Sequence, residues 1–173
     1  DRQSMDLPAG QDELIQAVAA ANKNTIVVVV AGSPVTMTRW INSTPAVLMA
    51  WYGGQEGGHA IADVLFGAVN PSGKLPVTFP KRLSDNPAMA NYPGKDYQVS
   101  YAEGIYVGYR GFDKKNIEPL FPFGYGLSYS KFDYSDLKVS PAKVEGDQPV
   151  EVSLQVRNTG ARAGAEVVQL YLS

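Results

Sequence analysis

Between Asp12 and Ala21 the apolar residues Leu14, Ile15, Val18 and Ala19 recur at helical spacing, with Pro8 and Gly10 as punctuation before them. TIVVVVAGS, Thr25 to Ser33, follows as a continuous β-branched run ended by Gly32 and Pro34. That pattern predicts a strand buried on both faces. MTRWINS, Met37 to Ser43, predicts one or two helical turns. AVLMAWYGG, Ala46 to Gly54, predicts a second buried strand. Ala60, Ile61, Val64 and Leu65 make the next helical stripe, and Gly67 stands where a helix C-cap would fall. NPSG, Asn70 to Gly73, predicts a turn, and KLPVTFP, Lys74 to Pro80, a short strand. Helices and strands in alternation predict a parallel α/β layer.

After Pro80 the pattern changes. KRLSDNPAMANYPGKDY is polar, with two prolines and a glycine, and predicts a long loop of the kind that is often functional. YAEGIYVGYRGFD, Tyr101 to Asp113, reads as a strand rich in Tyr, Ile and Val. In an extended chain Tyr101, Glu103, Ile105, Val107 and Tyr109 would share one face, four apolar or aromatic groups and one carboxylate. PLFPFGYGLSYSKFDYS is a Pro/Gly/aromatic connector. From about Asp136 the pattern is all-β: LKVSP, PVEVSLQVRNTG and AEVVQLYLS alternate apolar and polar residues, with Val150, Val152, Leu154 and Val156 on one face. These look like the opening strands of a β-sandwich, too few to close one. The expected fold is therefore α/β, a mostly parallel sheet flanked by helices as an α/β sandwich, followed by a partial β-sandwich. The expected break lies near residue 130, giving domains 1–130 and 131–173.

Composition narrows the chemistry. The chain has 173 residues, 45% hydrophobic and 18% charged, which predicts a packed core rather than disorder. A net charge of −2 gives no electrostatic case for nucleic acid or an anionic membrane. No apolar run approaches the roughly 20 residues that span a bilayer. The absence of cysteine excludes disulfides, thiol nucleophiles and thiolate metal sites. The start, DRQSMDLPAG, has neither an initiator Met nor a signal-peptide layout, and the end, AEVVQLYLS, falls within a strand-like pattern. Both are expected of a piece of a larger protein.

Few residues invite chemistry. WYGGQEGGHA, Trp51 to Ala60, could hold an anion at a helix start, but its spacing fits neither dinucleotide nor P-loop fingerprints, and a tight strand-to-helix turn with close backbone packing is the favoured reading. His59 is the one histidine, without the partners a metal site or a Ser-His-Asp triad requires. Glu56 suits a solvated helix start. Asn42-Ser43-Thr44 matches the glycosylation pattern, with Pro45 next. Glu103 stands apart. On an apolar face its carboxyl would be desolvated, which raises its pKa and suits it to donate a proton. Spacing alone leaves two readings for it, a structural carboxylate or a general acid.

Taken together, QDELIQAVAAANKNTIVVVVAGSPV, WYGGQEGGHAIADVLFGAVNPSGKLPVTFP, YAEGIYVGYRGFD and PLFPFGYGLSYSKFDYS resemble the C-terminal part of family 3 glycoside hydrolases of the β-glucosidase type. EVSLQVRNTGARAGAEVVQLYLS resembles the start of the fibronectin-type-III-like domain that follows in many members. The resemblance implies a barrel domain, absent here, that supplies a nucleophilic aspartate and most of the sugar pocket. It implies an α/β domain that lays an acid/base glutamate over that barrel. Glu103 falls on that position, within a Glu-Gly-hydrophobic-aromatic pattern before Gly-Tyr-Arg. The nucleophile has no match in this sequence. Asp1-Arg2 resembles a family pair before the first helix and is assigned no catalytic role. The implied reaction is retaining hydrolysis of terminal β-linked glucose, with a carbohydrate substrate and no metal or organic cofactor. The implied location is secreted or periplasmic. A non-catalytic scaffold or carbohydrate-binding fragment, or a β-xylosidase or exo-glucanase of the same family, would carry the same motifs.

Overall fold

A computed structural model describes residues 4–172; Asp1 and Arg2 lie outside the described residues. The chain divides into two compact units. One holds the chain up to Ala62 together with Lys74–Tyr125, and the other holds Asp63–Gly73 and the chain from Gly126 onward.

The first unit opens with helix α1 (Gln11–Ala21), where the apolar spacing places it. Asp12 and Glu13 lie in its first turn, favourably placed against the helix dipole, and both meet the Arg39 guanidinium, at 3.1 and 2.7 Å. Strands β1 (Ile26–Val29) and β2 (Ala46–Met49) pair in parallel, Ile26 opposite Ala46 and Val29 opposite Met49. A 3₁₀ turn at Ile41–Ser43 joins them, and helix α2 (Gly57–Leu65) follows. Val29, Ala31, Val35, Met37, Trp40 and Phe79 form the buried core, with Ile15, Leu75, Leu120 and Phe121 packed around it.

Two strand expectations for the parallel layer need correction. TIVVVVAGS is not buried on both faces: Ile26 is 50% and Val30 61% exposed. The parallel sheet has two strands, so it covers less of the run than its composition would fill. KLPVTFP does not add a third strand. Pro76 and Pro80 lack the N–H groups a ladder needs. Only Phe79 pairs, in an isolated antiparallel bridge to Phe121. That bridge still matters. The Phe79 N–H donates to Phe121 O (2.8 Å), Leu120 N–H to Phe79 O (2.8 Å), and Leu75 and Tyr125 are tied in the same way (2.8 Å). Phe79 meets Trp51 edge-on at 6.1 Å, and Phe121 stacks on Tyr125 at 5.1 Å. The aromatic connector FPFGY thus supplies core here.

Everything between these tied segments, residues 81–118, is an excursion that leaves and re-enters the fold at one place. Lys81 and Glu118, at its two ends, form an ion pair at 2.5 Å. The Lys81 hydrogen bond, and then its charge, holds the Glu118 carboxyl below its ordinary value. A depressed folded-state value stabilises above the unfolded value and is lost as pH falls through the folded one. Glu118→Gln is therefore expected to lower the melting temperature slightly at pH 7 in low salt, because the pair is largely exposed. The difference should fade as pH falls through the folded-state value, below the ordinary carboxylate range. A difference that persists there would rule out this pair as its source.

In the second unit, β3 (Phe132–Ser140) and β4 (Glu151–Asn158) pair antiparallel, with an irregularity between Ser135 and Lys138 where Asp136 has φ 54°. AEVVQLYLS, expected as a third strand, forms none among the described residues. Alternation makes a segment fit to pair; it does not supply the neighbour. The Asn70 side chain organises this unit. Its amide donates to Ser130 Oγ (3.0 Å) and Ala163 O (2.9 Å), and its carbonyl accepts from Ser128 Oγ and the Tyr129 N–H, both 2.9 Å. NPSG, expected as a turn, forms neither a turn nor a bend; Asn70 serves this unit as a hub instead. Among the described residues no helix is long and apolar enough to cross a membrane.

Candidate active site

The excursion begins with two 3₁₀ turns, Leu83–Asp85 and Pro87–Ala90. Asn86 starts the second: its side-chain oxygen accepts from the Ala88 N–H at 3.1 Å, and Pro87 follows at the first position, where a missing N–H costs nothing. Asn91 ends it, its N–H donating to Ala88 O. Lys95 and Gln98 then pair across a tight turn whose central residues, Asp96 and Tyr97, both have positive φ. This is the primed hairpin geometry. It leaves Tyr97 fully exposed at the tip.

The stretch from Tyr101 to Asp113, expected as a strand, is two turns and a helix. The Gly104 N–H donates to Tyr101 O and the Tyr106 N–H to Glu103 O, both 3.0 Å. Gly104 and Gly108, at φ 57° and 54°, take the chain through a left-handed region closed to most side chains. Helix α3 (Tyr109–Lys115) starts at once after Gly108 and ends on Asn116 in left-handed conformation. Tyr101, Ile105 and Val107 are at least half exposed, so the apolar face expected around Glu103 is not present within this chain.

Glu103 is nonetheless held. Its carboxylate is partly buried, and Oε2 accepts a hydrogen bond from Asn91 Nδ2 at 2.7 Å. Asn91 was not singled out by sequence reasoning. A second contact closes the arrangement. Gly111, buried in α3, lies against the Pro87 ring and the Tyr106 carbonyl; a Cβ there would sit 2.3 Å from Pro87 Cγ and 2.4 Å from Tyr106 O. Pro87 leads through its turn to Asn91, Asn91 to Glu103, and Glu103 through its turn to Tyr106 and back to Gly111. This ring of contacts fixes one carboxylate on a segment that otherwise has little buried surface. Lys114 Nζ over the Tyr106 ring, 5.3 Å from its centroid, adds a cation–π contact to it.

The other candidates lie apart from this ring. His59 Nδ1 and Glu56 Oε2 are 2.6 Å apart at the start of α2, both well exposed. Neither is hydrogen-bonded to Glu103 among the described residues, and the surrounding glycines make the tight strand-to-helix turn that their spacing suggests, with Gly57 N–H bonded to Gly54 O. Asn42 is exposed in the middle of the Ile41–Ser43 turn. Trp40 is buried and Trp51 packs on Phe79, so neither tryptophan forms an open stacking platform within this chain. Among the described residues no group of three or more His, Asp or Glu side chains is arranged to hold a metal ion.

A family model described as "Glycosyl hydrolase family 3 C-terminal domain" matches residues 1–129. Among curated proteins, Thermostable beta-glucosidase B of Acetivibrio thermocellus is 54% identical over 172 residues, covering 99% of this chain and 23% of that protein. Probable beta-glucosidase I of Aspergillus terreus is 52% identical, covering 99% of this chain and 21% of that protein. Among solved structures, beta-glucosidase 3B from Thermotoga neapolitana in complex with glycerol superposes with a TM-score of 0.86 at 41% identity, over 95% of this chain and 23% of that one. The Bifidobacterium adolescentis GH3 beta-glucosidase gives a TM-score of 0.86 at 44% identity, over 92% and 23%. The chain thus spans between a fifth and a quarter of the length of these relatives.

Proposed function

The chain belongs to glycosyl hydrolase family 3, and from that premise we propose that it is the acid/base-bearing α/β portion of a retaining β-glucosidase. Its substrate is terminal β-linked glucose in oligosaccharides or glucosides. The observation that carries this reading is Glu103: the one carboxylate on the excursion that is both half-buried and hydrogen-bonded by a neutral amide. The resemblance of YAEGIYVGYRGFD to the family's acid/base segment supports the same reading.

In the reaction an aspartate of the barrel domain attacks the anomeric carbon. Glu103 gives its proton to the departing glycosidic oxygen as that C–O bond breaks. The bond to the aspartate leaves a glycosyl-enzyme. Glu103, now ionised, takes a proton from water as the water oxygen attacks the same carbon and frees the aspartate. Retaining chemistry brings the two carboxyl groups to about 5–5.5 Å. An excursion tied at its base and extended beyond the core suits a group that must reach across to a second domain. Residues 131–173 fit the first strands of a fibronectin-type-III-like domain, β3 and β4 among them. The sugar is bound mainly by the barrel, so a β-xylosidase or exo-glucanase would use Glu103 in the same way.

A single carboxylate completes neither half of this cycle. The purified 173-residue chain is expected to release no nitrophenol from nitrophenyl β-glucoside above the uncatalysed rate, whereas a longer protein that includes the barrel turns it over. Hydrolysis by the chain alone would overturn the division of labour proposed here. An inactive longer protein would favour the scaffold or carbohydrate-binding reading.

A further inference from the structure

We infer that Asn91 is a positioning residue for the acid/base step, holding Oε2 of Glu103 so that Oε1 is the oxygen that gives and takes the proton. The inference rests on Glu103 being the acid/base group.

The geometry is specific. Asn91 Nδ2 donates to Oε2 at 2.7 Å, a short contact for an amide donor. Asn91 has little freedom to be elsewhere. It closes the Pro87–Ala90 turn through its own N–H, its side chain is partly buried, and Pro87 at the head of that turn is buried against Gly111. Glu103 is fixed on the other side by the turn that joins its carbonyl to the Tyr106 N–H. Both partners are therefore set by backbone that is itself tied down, and the bond joins two segments 12 residues apart in sequence.

The chemistry of the donor matters as much as its place. An acid/base residue passes between carboxylic acid and carboxylate in every turnover. A lysine or arginine at 2.7 Å would favour the charged form strongly and resist reprotonation. An amide is neutral, and it donates to Oε2 whether that oxygen is the carbonyl of the acid or half of the carboxylate. The bond therefore survives both states if the proton always travels on Oε1. In the first step the Oε1–H bond breaks as the proton passes to the glycosidic oxygen. In the second, Oε1 takes a proton from the attacking water. The carboxyl plane need not turn between them. Keeping a proton donor within reach of the leaving oxygen is worth a large factor in rate, and a misplacement of about 1 Å can cost about 100-fold.

The test uses the protein with its barrel and three variants: Asn91→Ala, Asn91→Asp and Glu103→Ala. Asn91→Ala is expected to lower kcat/KM for cellobiose or an alkyl glucoside by about 10- to 100-fold. For dinitrophenyl glucoside, whose leaving group needs no proton, the loss should stay within about 3-fold. Asn91→Asp is nearly isosteric and puts a like charge beside Glu103, so the alkaline limb of kcat/KM should move to higher pH. Equal losses on both substrates, no loss at all, or an unmoved alkaline limb would overturn the inference. Glu103→Ala separates the layers. If its own losses ignore the leaving group, the acid/base assignment falls and takes this inference with it. If they follow the leaving group while Asn91→Ala does not, only the role of Asn91 falls.

Discussion

Glu103→Ala in the barrel-containing protein is expected to slow hydrolysis of cellobiose and alkyl glucosides by about 10²- to 10⁴-fold, the usual share of a general acid. The loss should shrink as the leaving group becomes more acidic, because a dinitrophenolate departs without a proton. With such a substrate the first step stays fast and the second, which needs a general base, becomes limiting. The glycosyl-enzyme should then accumulate and KM fall with kcat. Azide needs no base to attack. Added azide should restore turnover and yield β-glucosyl azide, the retained anomer. A rate loss that is the same for every leaving group and unmoved by azide would show that Glu103 supports the structure and not the proton transfer. The aspartates of this chain offer a control: substituting exposed Asp133, on β3, should leave both steps untouched.

Gly111→Ala is expected to destabilise the first unit by about 1–3 kcal/mol, the cost of overfilling a packed site. Helix propensity alone would favour alanine by about 1 kcal/mol. Space decides otherwise. The new methyl carbon would lie 2.3 Å from Pro87 Cγ and 2.4 Å from Tyr106 O, far inside van der Waals contact. The carbonyl belongs to backbone and has little room to retreat. To relieve the overlap, either the Pro87–Ala90 turn or the Glu103–Tyr106 turn must shift, and these carry the two partners of the Asn91–Glu103 bond. Activity on poor leaving groups should therefore fall at temperatures where the variant is still folded. Thermal unfolding and kcat/KM measured together check this. Adding Pro87→Ala removes the ring carbon nearest the new methyl, so it should recover part of the lost stability, a coupling that a double-mutant cycle reads directly. An unchanged or raised melting temperature for Gly111→Ala would refute the packing argument.

Elements formed by local pattern were legible from the residues. The stripe Leu14, Ile15, Val18 and Ala19 marks α1, the runs IVVV and AVLM mark β1 and β2, and Ala60 to Leu65 mark the later part of α2. Errors arose where two local signals disagreed. Tyr101–Asp113 is rich in strand-forming side chains, but Gly104 and Gly108 set its path, and the helix from Tyr109 follows from that path. KLPVTFP has the apolar pattern of a strand and two prolines that forbid its ladder. AEVVQLYLS has the alternation of a strand and finds no partner among the described residues. Glu103 stands out in the sequence as a candidate, though for a reason that the fold revises. It does not sit on an apolar strand face; it is held by Asn91 inside a ring of turns. Asn91 itself left almost no trace in the sequence. The one usable cue was Asn86-Pro87, a cap followed by proline, which announces a short helical turn and hence something at its end.

The bridge between Phe79 and Phe121 also bears on how such a protein can diversify. Because the excursion begins and ends at one tied point, it is an exchangeable part. Its length can change while the core that bears it stays as it is. Closing a longer loop is cheap, about 0.6 kcal/mol for each doubling. The primed turn at Asp96–Tyr97 lies at its exposed tip, away from the contacts that fix Glu103. Insertions there would change the reach and surface of the excursion and leave the Asn91–Glu103 contact in place. A lineage can thus reshape the tip without rebuilding the ring of turns that holds Glu103.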